Sequence, residues 1–502
     1  MDNIGKRSEL SFLLSVFVIA TCGLIYELIA GTLASYLLGD SVLQFSTIIG
    51  CYLFAMGIGS YLSRFIERNL IDNFIRIEIL VGVVGGVSAA LLFVIFEHVE
   101  SFRVVLYLLV TIIGILVGIE IPLLLRILRD TFEFKDLVSK VFTFDYVGAL
   151  FASILFPLIL VPHLGLVRSA LLFGMLNVGV ALWLIHVLGT PSLGRHKKTA
   201  GVALILLATL FAMSERIVTT AEATNYHGNL IFSKHSKYQR ISLVRSGREL
   251  RLFLNGNLQF STLDEYRYHE LLSHPALYAV PHRSRVLVLG GGDGLAVREI
   301  LKHQDVREVV LVDLDQEMTE LFRTAPLLKE ANQNSLNSPK VTVVNDDAFQ
   351  WIKRYSGEAF DVIIVDFPDP SNYSVGKLYS VAFYKTLKKL MNERTVVSVQ
   401  STSPFFARAS YWCIVRTMRA AGLETLPYHL YVPSFGEWGF VLAGLQSPRP
   451  VISTEQSFLT QEVFDSATRF PKDMAEVDAP VNRLDDQVLV RLFTEEWAHY
   501  VN

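Results

Sequence analysis

Five carboxylates stand at or just beyond the ends of apolar runs, Asp293, Asp313, Asp347, Asp366 and Asp369, and four of them, Asp293, Asp347, Asp366 and Asp369, read as converging on one cleft. Four apolar runs precede them: Arg285-Val-Leu-Val-Leu, Glu308-Val-Val-Leu-Val, Val341-Thr-Val-Val and Asp361-Val-Ile-Ile-Val. Runs of this kind read as buried strands. In a doubly wound sheet, ligands bind outside the carboxyl ends of the strands, where these acids fall. Several carboxylates with no cysteine and few histidines suit organic cations better than a transition metal. No metal is expected; magnesium is the competing reading.

The first run leads into Gly290-Gly291-Gly292-Asp293-Gly294 and then a helical stretch. Glycines at a strand-to-helix turn let the backbone fold tightly and approach a ligand closely. About twenty residues on, Asp313 ends the next strand, where an acid can accept hydrogen bonds from ribose hydroxyls. The pattern predicts nucleoside binding. A dinucleotide fingerprint would carry a third glycine in G-x-G-x-x-G spacing. Here Asp293 occupies the turn instead, and a carboxylate repels phosphate and attracts an amino or sulfonium group. That favours an S-adenosylmethionine-like ligand over a nicotinamide dinucleotide.

The elements that must hold these residues lie in a chain of two textures. Of 502 residues, 51% are hydrophobic and 19% charged, against about 25% charged in a soluble domain. The net charge of −3 gives no reason to expect nucleic acid. Cys22, Cys51 and Cys413 have no metal-ligand spacing and read as buried small hydrophobes. The apolar excess lies before residue 218, in stretches at 10–36, 43–63, 77–96, 104–125, 143–162, 169–188 and 199–218. Most have the ~20 residues a helix needs to cross a bilayer. The last is uninterrupted only over 200–213, which also fits a re-entrant or interfacial segment, so six or seven spans are expected. Cationic residues at 6–7, 64–76, 126–140 and 195–198 place the amino terminus inside. Glu27, Glu120 and Asp145 fall within the spans, and intramembrane acids are functional candidates. Gly57, Gly59, Gly85 and Gly86 suggest close helix packing.

After residue 220 alternating segments suggest a small antiparallel sheet, and from residue 284 strands alternate with helices. The expected organisation is a membrane domain at 1–220, a small β-rich part at 221–283 and a Rossmann-like α/β domain of the S-adenosylmethionine-binding type at 284–502.

Over about residues 225–445 the chain resembles the spermidine synthase family. The resemblance runs through Ser236-Lys-Tyr-Gln239, Leu254-Asn-Gly-Asn-Leu-Gln259, Asp264-Glu265 with Tyr268-His269-Glu270, and His274-Pro275. It continues through residues 290–294, Asp313, Asp347-Ala348, Asp366-x-x-Asp369-Pro370, Leu378-Tyr379-Ser380, Phe383-Tyr384 and Trp438-Gly439-Phe440. The resemblance implies aminopropyl transfer from decarboxylated S-adenosylmethionine, as co-substrate, to putrescine or a related polyamine. It implies that Gln239 and Gln259 flank the donor's thioether end, and that Gly290 and Gly292 belong to its binding turn. Asp313 would hold the ribose, Asp347 and Ala348 the adenine, and Asp293 the propylammonium. Asp366 would accept the proton, Asp369 would bind the acceptor amine, and Tyr268, His269 and Trp438 would line the polyamine channel. A homodimer built partly on the small sheet near residues 226–260 is also implied. The chain departs from the family pattern at Leu295, at Asn255-Gly256 and at Ser371-Asn372-Tyr373, the last touching the gate over the donor.

Two other classes fit parts of the pattern. A methyltransferase would need no partner for a propylammonium, which Asp293 and the Asp366/Asp369 pair supply. A polyamine transporter or sensor with a binding-only domain would have no need of Asp366.

Overall fold

The structure is a computed structural model that describes residues 2–38, 41–96, 102–129, 133–188, 194–223, 228–454 and 456–501. It divides into two compact units, Met1–His227 and Gly228–Asn502. Residues 226 and 227, at the start of the sheet expected to form a dimer, lie outside the described residues.

The first unit is helical: α1 (Asp2–Leu38), α2 (Ser41–Leu62), α3 (Leu70–Phe96), α4 (Phe102–Leu128), α5 (Phe134–Leu155), α6 (Val161–Leu188) and α7 (Gly194–Ala223). Six stretches are long and apolar enough to cross a membrane, one of them the 53-residue run Lys135–Val187. That run joins α5 to α6 through a π-helical turn at Phe156–Leu160 and is broken again at Gly165 (φ +71°). Pro157 explains the wide turn, since proline has no N–H for the α-helical ladder. At 1.5 Å per residue the run is about 80 Å long, enough for two crossings of a core of about 30 Å.

α7 holds the last apolar stretch, for which either a span or a re-entrant or interfacial segment was expected. It is continuous, and its two ends are tied to opposite ends of its neighbours. His196 meets Asp72, near the start of α3, at 2.5 Å. Arg168, near the start of α6, donates to Ser214 at 3.0 Å and to Glu215 at 3.1 Å. Ala200, Ala203 and Leu207 form its buried stripe.

Small residues set the helix spacing. A Cβ on Gly59 would stand 2.1 Å from the Ile115 carbonyl oxygen, and one on Gly118 would stand 2.2 Å from that of Met56. Gly86 packs against Gly174 of α6, and Gly85 lies under the Tyr26 ring. Gly57 faces open space, so it is not part of the seam.

The second unit opens with a four-stranded antiparallel sheet: β1 (Asn229–His235), β2 (Arg240–Ser246), β3 (Glu249–Leu254) and β4 (Asn257–Ser261). Then follow α8 (Glu265–Tyr278), β5 (Arg285–Gly290), α9 (Leu295–Leu301), β6 (Glu308–Asp313), α10 (Gln316–Thr324) and α11 (Pro326–Ala331). β7 (Val341–Asn345), α12 (Ala348–Arg354), β8 (Phe360–Asp366), α13 (Tyr373–Gly376), α14 (Val381–Leu387) and β9 (Met391–Gln400) continue the alternation. The unit closes with α15 (Arg408–Ala420), β10 (Glu424–Val432), β11 (Gly436–Gly444), α16 (Gln461–Ala467) and α17 (Val488–Val501).

The larger sheet has the order β10-β11-β9-β8-β5-β6-β7. β9, β8, β5, β6 and β7 are parallel, and β11 and β10 add an antiparallel edge. The central strands are buried on both faces, which accounts for their unbroken apolar runs. The chain runs outward from β5 to β7 and returns to β8 on the other side of β5. The topological switch, where doubly wound folds bind ligands, therefore falls between β5 and β8. The register pairs Gly290 with Asp366 and Asp313 with Asn345, so the strand-end acids form one row.

Candidate active site

The turn after β5 is built to let two acids come close. Gly290 has φ +80°, and a Cβ there would stand 2.2 Å from the Asp366 carbonyl oxygen. A Cβ on Gly292 would stand 2.7 Å from an Asp313 carboxylate oxygen, whose place against the backbone N–H at 3.0 Å needs a bare residue. Asp313 also accepts from the Asp315 N–H at 2.8 Å. Burial pushes the Asp313 carboxyl up to about 7, helped by the charges of Asp315 and Asp293 and opposed by these two N–H groups.

Asp293 is 9% exposed and accepts from the Leu295 N–H at 2.9 Å, which fixes its carboxyl at the start of α9. Burial raises its pKa, and the nearby His269 and Arg298 charges work against that. Asp366 ends β8 and accepts from the Tyr268 hydroxyl at 2.6 Å. Burial raises it to about 6; His269 and the tyrosine hydrogen bond pull it down, and Asp293 pushes it up. Three residues on, Asp369 accepts from the Gln400 amide at 3.2 Å. Burial holds it at about 7, partly offset by Gln400 and Thr402.

The His269 ring is a cation among these acids. Burial would discharge His269, yet its Nδ1 lies 2.7 Å from Glu265 Oε2, and Glu265, Asp293 and Asp366 together raise it to about 9. At neutral pH the ring is an imidazolium. Glu265 is held in turn by both terminal nitrogens of Arg298, at 2.8 and 2.9 Å, a two-pronged contact that fixes the carboxylate plane. Burial works against the Glu265 charge, but His269 and Arg298 keep its pKa low.

Aromatic rings form the wall beside Asp366. Tyr268 packs edge-on against His269 at 4.9 Å and against Phe435 at 6.1 Å, and Phe435 lies 5.3 Å from Trp438. The Trp438 indole N–H is buried and makes no hydrogen bond. Such a donor asks for an acceptor or a ligand.

The remaining expected residues divide. Gln239 reaches the row through Asp315, donating to it at 2.9 Å beside Ser236 at 2.6 Å. Asp347 caps α12 at the end of the next strand and pairs with Lys377 at 2.7 Å, which lowers its pKa against the cost of burial. Ala348 is buried directly after it. Among the described residues, the Gln259 side chain hydrogen bonds only to carbonyls of its own strand, at Asn257 and Leu258, and these contacts do not bring it to the acids.

Sequence reasoning missed Gln400 and the Glu265–His269 pairing, and it named Tyr379 without giving it a role. Gln400 ends β9 and links the Phe367 carbonyl at 2.7 Å to Asp369. Tyr379 is fully buried and donates toward the Phe367 and Pro368 carbonyls, at 3.3 and 3.1 Å, pinning the loop that carries Asp369. The strand-end rule that selected the aspartates would have selected Gln400. The four-residue spacing of Glu265 and His269 on one helix would have suggested their pairing.

The known proteins that this chain resembles bear on the same region. A family model described as the spermine/spermidine synthase domain matches residues 265–454. A polyamine aminopropyltransferase of Leptospira interrogans is 54% identical over 491 residues, 96% of this chain and 98% of that protein. Polyamine aminopropyltransferase 2 of Ralstonia nicotianae is 51% identical over 98% of this chain and 99% of its own. The chain belongs to the polyamine aminopropyltransferase family. It is an enzyme of aminopropyl transfer. The alignments are too long for the second unit alone, so the helical unit is common to these family members. A solved spermidine synthase in complex with the transition-state analogue AdoDATO matches 49% of this chain and 88% of its own, at 25% identity and a TM-score of 0.45.

The Glu265 contact is testable in this aminopropyltransferase. Glu265→Gln removes the carboxylate shared by Arg298 and His269, leaving Arg298 with Glu299 alone and His269 without its hydrogen-bonded counter-charge, a loss of up to about 3–5 kcal/mol. Chemical unfolding of the detergent-purified protein, followed by tryptophan fluorescence, should show that drop, whereas an exposed pair such as Arg491–Glu495 should cost under about 1 kcal/mol when broken.

Proposed function

We propose that the chain transfers the aminopropyl group of decarboxylated S-adenosylmethionine to putrescine or a related polyamine, giving spermidine and methylthioadenosine. The observation that carries this reading is the row of buried acids at the β5/β8 switch, with a glycine turn on one side and an aromatic wall on the other. The acceptor nitrogen attacks the carbon next to the sulfonium. The C–S bond breaks with its electron pair passing to sulfur, which leaves as a neutral thioether. The proton on nitrogen goes to Asp366. An amine of pKa near 10 is mostly protonated at neutral pH, so a carboxylate within hydrogen-bond reach must take that proton.

The other roles are those that the family resemblance implies. Gly290 and Gly292 let the nucleoside approach the backbone. Asp313 holds the ribose, with Gln239 beside it through Asp315. Asp347 and Ala348 receive the adenine, and Asp293 binds the propylammonium. Asp369 holds the acceptor amine in line, and Tyr268, His269 and Trp438 line the polyamine channel. Gln259 reaches the donor only if its side chain leaves its own strand. Most of the rate comes from holding two cations in line against their repulsion. No metal or permanently bound cofactor has a part in these steps.

The helical unit is read as a multi-pass domain of the cell membrane, and the small sheet β1–β4 as part of a homodimer contact. The donor is a charged nucleoside that does not cross a bilayer unaided, so the catalytic unit is placed in the cytoplasm. That placement and an amino terminus held inside by the loop cations hold together only if one of the seven helices does not cross. A fluorescent protein fused after Asn502, which matures in the cytoplasm, should glow in cells; a dark but full-length fusion places the unit outside.

Two kinetic outcomes test the chemistry. Purified protein given decarboxylated S-adenosylmethionine should release methylthioadenosine only when putrescine or another amine is added. Asp366→Asn should lower that rate about a hundred- to ten-thousandfold. Equal silence of both proteins with every amine, with the nucleoside still bound, would move the reading to a sensor or transporter. The acid limb of kcat/KM against pH should lie near the Asp366 value of about 6, activity rising as the carboxylate deprotonates. The Tyr268 hydroxyl lowers that value, so Tyr268→Phe should move the limb to higher pH by about one unit. An unmoved limb assigns the base to another group.

A further inference from the structure

Four helices of the first unit enclose a polar cluster within their apolar contact. Glu78 of α3 is 0% exposed and Glu120 of α4 is 1% exposed. α3 begins at Leu70 and α4 ends at Leu128, so each acid lies eight residues in from its helix end. That is about 12 Å along the axis. Those two ends are on one side of the bundle, since Arg126 donates to the Ser63 and Ile66 carbonyls, at 3.0 and 2.7 Å. The two carboxyl groups are within hydrogen-bonding reach of each other. Asn177 of α6 donates to Glu78 at 3.3 Å. The Tyr26 hydroxyl of α1 is buried within electrostatic reach of both acids, its ring seated over Gly85.

The donors and acceptors of this cluster do not balance. Outside the carboxyl–carboxyl contact, Glu78 Oε1, both oxygens of Glu120, Asn177 Oδ1 and the Tyr26 hydroxyl have no hydrogen-bond partner. Among the described residues no lysine, arginine or histidine forms an ion pair with either acid. Two acceptor-only groups in contact in an apolar surround need a proton or a cation between them. Among the described residues no group of three or more histidine, cysteine or acidic side chains could hold a metal ion. A primary ammonium offers three donors to these oxygens and a positive charge to the tyrosine ring. Two further acids border the cluster. Tyr52 is within reach of both Glu27 and Glu120, and Asp145 is within reach of Glu120. A cation with several ammonium groups along an alkyl chain matches such a series of acids with apolar intervals.

We propose that Glu78, Glu120, Asn177 and Tyr26 form a second polyamine-binding site, inside the helical unit and separate from the acids of the catalytic unit. The proposal rests on reading the helical unit as a membrane domain and the chain's amines as polyamines.

Full-length protein in lipid nanodiscs, dialysed to equilibrium against radiolabelled spermidine, tests it. Wild type should bind two equivalents per chain. The double variant Glu78→Gln/Glu120→Gln should bind one and keep its methylthioadenosine release within about twofold. A second measurement on wild type guards against a variant that does not fold. Dicyclohexylcarbodiimide attacks protonated carboxyls in apolar surroundings, and saturating spermidine should slow its labelling of Glu78 or Glu120 at least tenfold by peptide mass. That protection should persist in Asp366→Asn. One equivalent in wild type, or labelling indifferent to spermidine, overturns the proposal and leaves a proton-sharing pair. Loss of turnover in wild type would instead indict the catalytic reading, because the count of equivalents and the labelling are read independently of it.

Discussion

The catalytic unit turns on the cost of keeping carboxylates out of water at the ends of parallel strands. Asp293, Asp313, Asp366 and Asp369 are all pushed above the usual carboxylate range, burial being the leading cause at each. A site in this condition is a poor host for phosphate and a good host for ammonium and sulfonium groups, whose binding relieves the strain that burial imposes. The His269 imidazolium, kept charged by Glu265, offsets part of the negative charge while the cleft holds no substrate. The glycine turn, the Tyr268 contact and the Gln400 bridge all serve to hold like charges close together without collapse.

The same electrostatic problem recurs in the helical unit with a different solution. There, among the described residues, Glu78 and Glu120 lack the cationic neighbours that Arg298 and His269 provide around Glu265. Glycines at 59, 85, 86 and 118 let the helices approach closely around the cluster. The acids of the catalytic unit and the proposed site inside the helical unit share one feature, buried carboxyls to which an ammonium group is complementary.

Much of the catalytic unit was legible in the sequence because buried parallel strands leave unbroken apolar runs and their ends fall at predictable places. The acids at 313 and 366 lie at the ends of β6 and β8 as expected, and Gly290 and Gly292 sit where only a bare backbone fits. What was not legible depended on contacts between distant elements. Lys377 against Asp347 and Tyr379 against the Phe367 and Pro368 carbonyls join different elements, and no local pattern marks them. Gln259 was placed near the donor from the resemblance, but it turns to its own strand. In the helical unit, apolar content located the helices. It could not show that α7 runs the full length of its neighbours, because a mean hydropathy does not reveal which ends meet. Glu78 stands two residues from Arg76, where sequence does not separate the rim of a helix from its interior.

The measurement that bears most directly on the account is the proton balance of substrate binding. Putrescine can be titrated calorimetrically into the protein holding methylthioadenosine, at pH 6.5, in buffers of different ionisation enthalpy. Carboxyls poised between about 6 and 7 are partly protonated there, and an incoming ammonium lowers their pKa. The account predicts that binding releases protons, so the observed heat varies with the buffer. Heats that do not vary with buffer would contradict it, because the acids would then be fully ionised before the amine arrives.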